Sequence, residues 1–307
     1  MKAFSSAALL AITLALATPV SGQEEPSATV EDVVVIARRS GAPVWRIQTP
    51  SGVVILVGSI KSVPAEASWR PESLEEAVAV ADSIVLSQTA TMSLGDFLRF
   101  RRAKERLPEG MTVADYIGQD QHDRLQRIGA HYRQDYTRRG LVAIADDLLD
   151  RRLRYDRGAG RSAEAVVRSA ARRGHQPVRL VGDLDGRHID DSIASPDEGQ
   201  IACLSAAIAA LEAGPDGIRT RGFAWTRQDV LTVVTSPLER ALDRCAWFAD
   251  ENLRAQGRIQ WADALADALG ETGTVMIVAP IMIVAEADGL LDYAETHGFE
   301  VVGPEWK

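Results

Sequence analysis

The sequence predicts an α/β fold: a mixed central sheet with a helical insertion in the middle of the chain. Three observations predict it. Apolar, β-branched runs concentrate in the outer thirds, Arg-rich amphipathic periodicity fills about residues 93–175, and the chain closes on strand, helix and strand. In order, residues 44–48 and 53–57 flank Thr49-Pro50-Ser51-Gly52, which reads as strand, tight turn and strand. The second strand is apolar on both faces, which places it centrally in the sheet. Residues 71–82 follow as a helix, with Pro71 at its start, Glu72, Glu75 and Glu76 in its first turns, and a stripe of Leu74, Ala77, Val78 and Ala81. Residues 83–86 return as a strand. After the helical middle come a strand at 178–181, helical stretches at 201–211 and 238–269, a strand at 274–278, a helix around 289–297 and a strand at 299–302. That ending implies a right-handed parallel crossover. Trp45, Trp69, Met276 and Met282 are expected in the core.

Composition narrows the function classes. The 307 residues are 46% hydrophobic and 25% charged, which excludes disorder and a disulfide-dense mini-scaffold. A net charge of −9 argues against a nucleic-acid partner. Charge is uneven: residues 99–179 hold 19 Lys+Arg against 11 Asp+Glu, and residues 180–307 hold 9 against 22.

Residues 1–22 read as a signal peptide, with Lys2, an apolar run from Ala7 to Ala17 and small residues before a cut expected after Gly22. The run is too short to span a bilayer comfortably, so no integral span is expected after cleavage, and the expected location is the periplasm or the exterior. An oxidising compartment favours pairing the only two cysteines, Cys203 and Cys245. Residues 23–42 read as an N-terminal linker ahead of a domain over 43–307. Within it, Asp32-Val33-Val34-Val35-Ile36-Ala37-Arg38-Arg39 is similar to the energy-coupling box of TonB-dependent receptors. There an extended segment adds as a strand to a periplasmic partner, so Val33, Val34, Val35 and Ile36 are candidate contacts for a periplasmic protein or peptide. The plainer alternatives are a first sheet strand or a tether.

Two stretches carry a family resemblance. The first runs from Val44-Trp45-Arg46-Ile47 through Gly58-Ser59-Ile60-Lys61 to Val63-Pro64, followed by Trp69-Arg70 and the helix and strand to Leu86. The second is Gly273-Thr274-Val275-Met276-Ile277-Val278-Ala279-Pro280-Ile281-Met282, then Asp288-Gly289-Leu290-Leu291 and His297-Gly298-Phe299-Glu300-Val301. Together they resemble the TraB/GumN family, which also includes the Tiki-type metal-dependent proteases, over about residues 43–303.

The resemblance implies a Gly-x-x-His motif ending the first strand, a Glu ending the strand after the first helix, and a second His after the C-terminal strand. These would hold a divalent metal that activates water. Here Lys61, Ser87 and Met282 stand at those positions, an Arg-Asn pair appears as Glu251-Asn252, and only Gly58 and Asn252 are retained. An ammonium repels a divalent cation, a serine hydroxyl is a poor ligand, and a thioether prefers soft Cu(I). The sequence thus points to a non-catalytic member without cofactor, acting through binding. Lys61 is expected to reach solvent or pair with a carboxylate, the alternative being a base or nucleophile. A rival reading keeps metal-dependent hydrolysis at a relocated site, with Asp183, Asp185 and His188 as weak candidate ligands after the 178–181 strand. A third is an interaction module working through residues 30–39.

Overall fold

The computed structural model describes residues 30–88, 105–181 and 196–307. The signal-peptide stretch and the cluster of Asp183, Asp185 and His188 lie outside the described residues.

The predicted strand, turn and strand form as β1 (Val44–Gln48) and β2 (Gly52–Ser59), antiparallel with Ile47 opposite Val54. The Thr49 hydroxyl closes the turn by accepting the Gly52 N–H at 2.9 Å. Gly52 is required here, because a Cβ would meet the Gly273 carbonyl at 2.2 Å. After β3 (Val63–Pro64), β4 (Ser83–Ser87), β5 (Ala159–Gly160) and β6 (Val178–Val181), the sheet is completed by β7 (Gly273–Pro280) and β8 (Val301–Val302). Its order is β6-β4-β7-β2-β1-β8; β6, β4, β7 and β2 are parallel, and β1 is antiparallel to both its neighbours. β3 and β5 pair separately.

β2 and β7 are buried almost end to end, as strands covered on both faces must be. One set of helices, α1 (Val30–Arg39), α2 (Pro71–Val80), α3 (Gln119–Tyr132), α4 (Leu141–Asp146) and α5 (Ala163–Gly174), precedes the long α6 (Glu198–Thr226). α7 (Val230–Thr235), α8 (Pro237–Arg244), α9 (Glu251–Gly270), α10 (Ile281–Ala285) and α11 (Leu290–Thr296) follow. α2 packs between α1 and α5, which contact the sheet, and α11 packs on α9 and α10, which contact β2. Trp45, Met276 and Met282 are core residues as predicted, and Trp69 packs against that core edge-on to Trp225.

A second apolar core lies among the helices. It joins Leu125, Tyr136 and Leu148 of the middle segment to Leu204 and Ile208 of α6 and Leu238 of α8. α4 runs on into a π-helical stretch at 147–153 whose buried Asp147 accepts hydrogen bonds from the Tyr136 hydroxyl at 2.7 Å and from Arg152 Nε at 2.9 Å. Burial raises the Asp147 pKa, but the two donors outweigh it and hold the carboxyl below its ordinary value. By length and composition α6 would reach across a bilayer. It breaks at Gly214 (φ 61°) ahead of Pro215, and its buried side, with Leu204, Ala207 and Ile208, packs into this core.

Residues 30–39 overturn the extended reading. They form helix α1, because Val33, Val34 and Ala37 fall on one helical face and bury against the sheet domain, which outweighs the strand preference of β-branched residues. Val35 is exposed and Ile36 half-buried, so no strand of docking residues is presented. Arg38 anchors the end of the helix by donating to the Val302 carbonyl at 2.8 Å.

Candidate functional site

The parallel register brings the carboxyl ends of β2, β4 and β7 to one edge of the sheet, with Gly58 opposite Ala279 and Ser59 opposite Pro280. A cavity of about 450 Å³ opens there. Lys61 from the end of β2, Ser87 from the end of β4 and Met282 from α10 all line it. Three positions spread over more than two hundred residues of chain thus share one site. Gly58 lies beneath. A Cβ there would come to 3.2 Å from both Trp45 and Ile281, and its carbonyl accepts the Trp225 indole N–H at 2.8 Å.

Asn252 does not join them. It is exposed in the first turn of α9, where the Asp250 cap accepts its backbone N–H at 2.8 Å. The same helix instead sends Arg254 and Arg258 to the cavity. Sequence reasoning also missed Glu164 and Arg168 of α5 and Glu239 and Asp243 of α8. The available signal was the four-residue spacing of Glu239 and Asp243 around Leu242, which puts two carboxylates on the inward side of an otherwise apolar helix face.

These charges are arranged in pairs. Ser87 Oγ donates to Glu164 Oε2 at 3.1 Å, and the other Glu164 oxygen takes Arg168 at 2.6 Å. Arg168 also donates to the Ser87 carbonyl, tying α5 to β4. Arg221 of α6 is fully buried; it holds Glu239 Oε2 at 2.6 Å and the carbonyls of Lys61 and Ser62 at 2.7 and 3.0 Å. That grip fixes the loop carrying Lys61, in which Ser62 takes φ 58°. Gly222 lets α6 approach this loop, since a Cβ would meet Pro64 Cδ at 2.3 Å. Arg254 pairs with Asp243 at 3.3 Å, and Arg258 pairs with Glu286.

Burial pushes the Glu239 carboxyl above its ordinary value, against the opposing pull of Arg221 and Lys61. Burial likewise raises Asp243, helped by Glu286 and opposed by Arg254. Lys61 itself is exposed at the cavity mouth. A disulfide joins Cys203 of α6 to Cys245 at the end of α8, with Cα atoms 4.8 Å apart, so the helix bearing both carboxylates is tied covalently to the long helix.

The donors do not fit a resident divalent ion of the kind the resemblance implies. Ser87 spends its hydroxyl hydrogen on Glu164, each lining carboxylate faces a guanidinium, and Lys61 adds a positive charge at the mouth. Among the described residues no histidine lines the cavity, and no group of three His, Cys, Asp or Glu side chains converges anywhere.

Fold and site define a mixed-sheet α/β protein with a charge-paired cavity at the carboxyl edge of its parallel strands. The TraB/PrgY/gumN family model matches residues 43–302, and the chain belongs to that family. No curated protein and no solved structure matches it.

Proposed function

We propose that this family member is exported and acts by binding a ligand in the cavity at the sheet edge, without the metal-dependent hydrolysis its relatives' pattern implies. One observation carries the reading. Lys61, Ser87 and Met282 occupy a single cavity whose carboxylates are already committed to Arg168, Arg221 and Arg254. A water-activating site needs ligands free to take a cation and an open coordination position. A ligand site needs a preformed concavity with apolar wall and a few oriented polar groups, which this edge supplies. Export is supported by the character of residues 1–22 and by the Cys203–Cys245 bridge, since such bridges persist in oxidising compartments.

The test is elemental analysis of mature protein purified from the periplasm of a two-membrane host, together with peptide hydrolysis assayed in added zinc, manganese or cobalt. Substoichiometric metal and no metal-stimulated cleavage are expected. A stoichiometric divalent ion with turnover would overturn the binding reading, and a product retained in the cytoplasm with residues 1–22 intact would overturn export.

A further inference from the structure

The binding reading leaves open what the cavity holds, and the pairing of its charges narrows this. Four ion pairs, Glu164–Arg168, Glu239–Arg221, Asp243–Arg254 and Glu286–Arg258, neutralise the acidic and guanidinium groups in and directly behind the walls. Lys61 lies close enough to favour the charged form of Glu239. Among the described residues, however, no hydrogen bond or ion pair engages its ammonium. Between these charges the wall is apolar, formed by Ile60, Leu242, Ala246, Met282 and Ile283.

Resting on that reading, we propose that the cavity takes the carboxylate end of an apolar ligand, with the Lys61 ammonium seating the anion at the mouth and the apolar wall enclosing its chain. A cationic ligand would have to displace guanidinium groups from Glu239 or Asp243 and pass Lys61 to reach them. A neutral apolar ligand would take water from one side of the ammonium and offer it no hydrogen-bond acceptor in return. A phosphate dianion would bring more charge than one ammonium offsets, and the Ser87 hydroxyl already donates to Glu164. Size agrees. At roughly 30 Å³ for each water-sized group, about 450 Å³ encloses a short acyl chain or one to two apolar amino-acid residues.

Such a carboxylate has two sources, a free fatty acid and the C-terminus of a peptide. Octanoate and N-acetyl-leucine serve as probes for the two, with octanol and N-acetyl-leucinamide as uncharged controls, titrated calorimetrically into metal-analysed mature protein. At least one acid is expected to saturate a single site, and the tighter of the two identifies the source. Its uncharged partner and the Lys61→Ala variant should each bind roughly 10- to 100-fold more weakly, the range for a charge-assisted hydrogen bond. Lys61→Arg should retain most of the affinity. Lys61 is exposed, so these variants fold, which circular dichroism verifies. Equal binding of acid and control, indifference to Lys61→Ala, or no binding of either acid overturns the proposal. The metal content of the same preparation separately decides the binding reading.

Discussion

Replacing Arg221 with methionine tests how the cavity floor is held. The side chain is fully buried, and methionine roughly keeps its volume while removing every donor. Glu239 then loses its 2.6 Å partner inside the protein, and the carbonyls of Lys61 and Ser62 lose theirs. Breaking a buried ion pair on one side costs about 3–5 kcal/mol, and each abandoned carbonyl adds about 1 kcal/mol. Protonation of Glu239 recovers part of this, so a net loss of about 4 kcal/mol is expected near neutral pH.

Urea unfolding followed by circular dichroism reads the loss as a lower midpoint at unchanged slope. The loss should also shrink in acid. Because burial raises the Glu239 carboxyl above 4.5, the folded protein binds the extra proton over the window above that pH, so its stability falls as pH rises through the window. Adding Glu239→Leu to Arg221→Met removes the orphaned charge and should restore all but about 2 kcal/mol. A single variant that loses under about 1 kcal/mol, or a double variant as weak as the single, would refute the account.

Three further outcomes follow from the packing. The double change Cys203→Ser and Cys245→Ser opens a loop with a separation of 42 residues; it should cost about 4 kcal/mol by chain entropy, read by urea unfolding with and without reductant. Asp243→Asn should flatten the decline of stability with rising pH above 3.8, because the raised carboxyl makes the folded state the better proton acceptor there; unchanged pH profiles would count against it. Gly222→Ala places a methyl 2.3 Å from Pro64 Cδ, and thermal melting should report a loss of about 1–3 kcal/mol.

The sheet was legible because its strands are short apolar runs bounded by turn residues. Residues 53–57 read as a central strand and 274–278 as a further strand, while their direct parallel pairing came only with the structure. That the positions of Lys61, Ser87 and Met282 would meet was implied by the family resemblance alone, and the three line one cavity. Residues 30–39 misled because three consecutive valines favour extended backbone locally, while the burial of Val33, Val34 and Ala37 on one face decides the outcome globally. The cavity carboxylates stayed hidden for a related reason. Glu239 and Asp243 look like solvated charges in a helix, and only the approach of Arg221 and Arg254 from distant segments makes their burial tolerable. Asn252 was assigned by family pattern, yet its own side of α9 is exposed, and it is Arg254 of the same turn that reaches the cavity.

The sulfur bridge has a bearing on how the side of the cavity is held. α8 supplies one side of the cavity, and its far end is stapled to the long helix through Cys245. In a thiol-rich milieu that staple would open, and the cavity's side would be held by packing and ion pairs alone. Oxidation would then do more than toughen the chain: it would fix the angle at which that helix turns Glu239 and Asp243 toward the sheet edge.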